Sequence, residues 1–84
     1  MDSIYRLMKE WQEQNDKPIN IFNRQVKFYV SYDTWDDRFF VESCAGYIDF
    51  NLIYFSSREA AKLFLEQNES QLRELVGRMK TRYK

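Results

Sequence analysis

Carboxylates are the only side chains here whose types and spacing suggest chemistry. Asp33, Asp36, Asp37, Glu42 and Asp49 lie close together in the sequence. Oxygen ligands of this kind can hold a hard divalent cation, which would open a route to metal-dependent hydrolysis. The spacing does not match a calcium loop, which needs a central glycine and a closing glutamate, so the ordinary reading is a solvated acidic turn. The other ingredients of catalysis are missing. The chain has no histidine, which removes the commonest general base and metal ligand. Cys44 is the only cysteine, with no histidine to activate it and no second thiol to share a metal. Beside Phe40 and Ala45 it reads as a small buried hydrophobe. The two glycines, Gly46 and Gly77, sit in no phosphate-cradling pattern. The expectation is a chain that is not an enzyme and takes no metal or cofactor.

Three features suit binding instead. Trp35 falls in Asp33-Thr34-Trp35-Asp36-Asp37, where a turn would favour a small polar residue. A tryptophan ringed by polar groups has the composition of a binding hot spot, with Asp33, Trp35, Asp36 and Asp37 as the contact set. The ordinary alternative is an indole folded back over its own sheet. The second feature is basic: Arg73, Arg78, Lys80, Arg82 and Lys84 crowd the last fifteen residues against Glu74 alone, while the earlier residues carry the balancing acidic excess. Arg78, Lys80, Arg82 and Lys84 could reach nucleic-acid phosphates, although cations at a helix C-terminus also simply complement its dipole. Third, Tyr29, Phe40 and Tyr47 could stack on single-stranded bases. No ribonucleoprotein motif accompanies them, and sheet cover or core is the ordinary role.

The elements that must position these residues are legible from periodicity. Met1 to about Asn15 is an amphipathic helix, with Ile4, Leu7, Met8 and Trp11 on one stripe, Asp2 or Ser3 as its cap and Pro18 enforcing its end. Gln25–Tyr32 alternates as a strand, placing Val26, Phe28, Val30 and Tyr32 on one face and Lys27, Tyr29 and Ser31 on the other. A loop of roughly three to five residues then leads to the returning strand Arg38–Cys44, with Phe39 and Val41 opposite Phe40, Glu42 and Cys44. Residues 47–55 resume an apolar pattern and are expected to form a third strand. It ends at Ser56, which with Glu59 makes a capping box for a helix. Asn68 and Gln71 repeat that spacing, so residues 57–80 read as two helices rather than one bent helix.

Eighty-four residues make one domain, 1–84, with one small core. Seven Phe, six Tyr and two Trp argue for order despite the charge content. A single cysteine excludes an internal disulfide framework and favours a reducing compartment. No apolar run is long enough to span a membrane, and no basic flank with an apolar core opens the chain. An intracellular soluble protein is expected.

Ile53-Tyr54-Phe55-Ser56-Ser57-Arg58-Glu59-Ala60-Ala61, followed by Leu65-Glu66-Gln67-Asn68-Glu69, resembles a motif of small uncharacterised bacteriophage and prophage proteins. In these a tyrosine–phenylalanine strand end and a Ser/Thr cap open a helix that starts with an acidic residue and alanine. Lys27–Asp33 is similar to their first hairpin strand. The likeness spans roughly residues 26–72; it departs at 44–52, which lacks the glycine that often precedes the tyrosine–phenylalanine pair, and in the N-terminal helix. The resemblance implies no activity and no site residues. It implies a domain that occupies a surface of a larger host or viral protein, such as a defence nuclease.

The fold expected is α+β: an N-terminal helix, a three-stranded antiparallel meander, and one or two C-terminal helices on one sheet face. The expected core is Leu7, Trp11, Val26, Phe28, Val30, Val41, Phe55, Ala60, Phe64, Leu72 and Leu75. A non-enzymatic protein-binding module, an inhibitor or adaptor, leads over a nucleic-acid accessory protein. Unpaired strand edges leave a homodimer open.

Overall fold

A computed structural model describes residues 3–82. The order is α1 (Ser3–Asn15), β1 (Lys27–Asp33), β2 (Arg38–Cys44) and α2 (Arg58–Arg82), an α+β arrangement. α1 lays the expected stripe inward, and Trp11 is its buried residue. It stops where Asn15 folds its side-chain amide back onto the Trp11 carbonyl at 3.1 Å. Asp2 lies outside the described residues as a cap, and Ser3 is already helical.

β1 and β2 pair antiparallel without a bulge, from Lys27↔Cys44 to Asp33↔Arg38. Val30 opposes Val41 and Tyr32 opposes Phe39, so these share the face that packs against the helices. Val26 is a correction: it lies before the strand and is 54% exposed. Its neighbour explains this. Lys27 is buried, and its ammonium donates to the Asn23 carbonyl at 2.6 Å and the Gln25 carbonyl at 3.0 Å. Those bonds gather the preceding loop around Lys27, where the ladder begins.

The expected third strand does not form. Among the described residues the sheet has two strands, and what remains of a third is one bridge, the Phe55 N–H donating to the Phe28 carbonyl at 2.8 Å. Turn chemistry wins over the apolar pattern. Gly46 adopts φ 85° just after β2. The Asp49 carboxylate then accepts the Asn51 N–H at 2.8 Å, and the Leu52 N–H reaches the Asp49 carbonyl at 3.1 Å. That side-chain-closed turn folds the chain back before a strand can extend.

α2 is one continuous helix, not two. Its apolar stripe runs through Ala61, Phe64, Leu72, Val76 and Met79 at helical spacing. Asn68, expected to cap a second helix, lies in this stripe and donates its side-chain amide to the Phe64 carbonyl at 2.9 Å. The helix cap is also displaced by one residue. Ser57 accepts the Ala60 N–H at 3.1 Å and is the N-cap, while Ser56 is used elsewhere. The Ser56 N–H donates to Asp16 at 2.7 Å, and the Ser56 hydroxyl donates to the other oxygen of the same carboxylate. Asp16 therefore ties the exit of α1 to the entrance of α2.

The core gathers Trp11, Phe55, Ala61, Phe64 and Leu72. Trp11 meets Phe64 edge-on at 5.6 Å and Phe55 at 5.9 Å between ring centroids, and Phe55 lies 5.5 Å from Phe64. Such ring pairs add to simple area burial. The Trp11 indole N–H is satisfied by the Gln67 side-chain oxygen at 2.9 Å. Leu7, Val30, Val41 and Ala60 pack around this centre. Phe28 and Leu75 are half-buried, and the Arg58 guanidinium covers the Phe28 ring at 5.2 Å.

Candidate protein-binding site at the hairpin tip

The loop between β1 and β2 is built by its aspartates. The Asp33 carboxylate, at the last position of β1, accepts the Trp35 N–H at 2.9 Å and the Asp36 N–H at 3.3 Å. This is the local turn-closing role for which Asp is favoured. Asp37 takes a left-handed φ of 56°, a conformation that Asp tolerates better than most residues, and so returns the chain to β2. One side chain thus closes the turn and another reverses it.

Trp35 is presented at the tip of this turn with 95% of its surface exposed. The indole does not fold back over the sheet. An indole offers a large rigid apolar area, and here it stands between Asp33 on one side and Asp36 and Asp37 on the other. The expected contact set is therefore brought together on one protrusion.

The basic residues are not an independent patch. Lys80 reaches across from α2 to Asp37, with 2.6 Å between ammonium nitrogen and carboxylate oxygen, and lies 5.8 Å from the centroid of the Tyr32 ring. Arg78 pairs with Glu74 at 2.6 Å and Arg73 with Glu69 at 3.3 Å, each one turn away on α2. Arg82 ends α2 exposed, and Lys84 lies outside the described residues. A phosphate backbone would have to compete with carboxylates already within reach of Arg73, Arg78 and Lys80.

No protein-family model, curated protein or solved structure matches the chain.

The remaining carboxylates are spent locally. Glu42 accepts the Tyr29 hydroxyl at 2.7 Å and the Ser31 hydroxyl at 3.4 Å, and Asp49 closes its own turn. Among the described residues no three acidic, cysteine or histidine side chains converge where a metal could sit. The hydrogen bond to Glu42, with partial desolvation and the carboxylate charge, pushes the Tyr29 hydroxyl up to about 12. Burial pushes Tyr54 up as well, opposed by the Asp49 N–H, which donates to its oxygen at 2.9 Å. Tyr29 also packs edge-on against Tyr54 at 6.1 Å, and Phe40 is half-buried, so neither forms an open stacking platform. Tyr47 is 64% exposed but stands in the loop after β2.

Two structural features were not singled out from sequence. One is Lys80 as the partner of Asp37. The other is an open apolar groove of about 560 Å³ between α1, the helix-bearing sheet face and the end of α2. No local pattern signals a pairing between residues so far apart. The groove's signal was available in part: Val76 and Met79 extend the α2 stripe beyond the area the short sheet can cover.

Proposed function

We propose that this chain is a small non-enzymatic protein-binding module that works as an inhibitor or adaptor, occupying a surface of a larger protein through the Trp35 hairpin. The observation that carries the reading is the 95% exposure of Trp35 on a loop whose conformation is held by Asp33 and Asp37. Binding hot spots are enriched in tryptophan, and a preset loop loses less freedom on association than a mobile one. Asp36 and its neighbouring aspartates favour a partner with a basic rim around an apolar cleft, since charge complementarity selects partners and speeds encounter. The resemblance to small phage and prophage proteins supports a host or viral target inside a bacterial cytoplasm, a defence nuclease being one example. It is in keeping with this setting that no helix among the described residues is long and apolar enough to cross a membrane.

The test is affinity capture from bacterial lysate with tagged wild-type chain and Trp35→Ala in parallel, with nuclease treatment and a high-salt wash. The expected result is one dominant protein that survives both treatments and is lost with Trp35→Ala. Material that disappears on nuclease treatment would move the reading to nucleic acid and to Arg78, Lys80, Arg82 and Lys84.

A further inference from the structure

We draw no further inference here: the strongest candidate, the open apolar groove between α1, the helix-bearing sheet face and the end of α2, lined by Met8, Val30, Phe39, Val76 and Met79 among others, carries none, because nothing in the structure shows what covers it.

Discussion

Lys80 and Asp37, 43 residues apart in sequence, meet with 2.6 Å between ammonium and carboxylate. The contact joins the C-terminal turns of α2 to the base of the Trp35 loop. Two patches that look like rivals in the sequence, an acidic turn and a basic tail, are one neighbourhood in the fold. Part of the tail's charge is used in holding the loop that presents Trp35.

The pair is about half exposed on both sides, so its direct contribution is small. A double-mutant cycle on Lys80→Ala and Asp37→Ala should give a coupling of about 0.2–1 kcal/mol that shrinks as salt is raised. A coupling well above that range, or one indifferent to salt, would contradict the picture of a solvated pair.

Asp16 should matter more. Its carboxylate accepts both the backbone N–H and the hydroxyl of Ser56, and hydrogen bonds to charged groups contribute more than neutral ones. Asp16→Ala is expected to cost about 2–3 kcal/mol, whereas Ser57→Ala, which removes the helix cap, should cost about 1 kcal/mol. Thermal or urea unfolding of the two variants gives the ranking, and the reverse order would mean that Ser56 is not held as described.

Tyr32 makes the opposite prediction. Its hydroxyl oxygen is buried and has no hydrogen-bond partner among the described residues, while its ring packs edge-on against Phe39 at 5.0 Å. Removing an unsatisfied buried hydroxyl relieves a desolvation penalty, so Tyr32→Phe should be neutral or up to about 1 kcal/mol more stable. A melting temperature that falls by several degrees would show that the hydroxyl is bonded after all.

Tyr29 supplies a signature at high pH. With its hydroxyl pushed up to about 12 by Glu42, the folded state holds this proton more tightly than the unfolded chain, where the ordinary value is 10.0. The associated stability is complete below pH 10 and is lost as pH rises through about 12. The tyrosinate absorbance difference between wild type and Tyr29→Phe should therefore titrate near 12, and Glu42→Gln should move that midpoint down. A midpoint at the ordinary value in wild type would dissolve the Tyr29–Glu42 contact.

Local pattern was enough for α1 and for the two strands of the hairpin, because each rests on neighbours in sequence: the stripe from Ile4 to Trp11, the alternation from Lys27 to Tyr32, the turn residues between. It misled where a distant group decides between two local options. Ser56 and Ser57 are equally good caps by type, and Asp16, 40 residues away, takes the first and leaves the second. Asn68 has the chemistry of a cap, yet packing of Phe64 and Leu72 on the same stripe carries the helix through it. Residues 47–55 are apolar enough for a strand, but Asp49 and Asn51 close a turn inside them. At the candidate site, residue types pointed to the cluster from Asp33 to Asp37, whereas the exposure of Trp35 depends on three-dimensional placement that no propensity encodes.

The most direct test is the affinity of the captured partner for wild type and for Trp35→Ala, measured by calorimetry with circular dichroism confirming that both are folded. An exposed side chain should leave stability within about 0.5 kcal/mol when truncated. As a hot spot it should cost at least about 2 kcal/mol in binding, which is about a thirtyfold weaker Kd. That outcome, loss of affinity with stability untouched, is the one the account predicts. Equal affinity in the two folded proteins would contradict it and remove the hairpin tip from the interface.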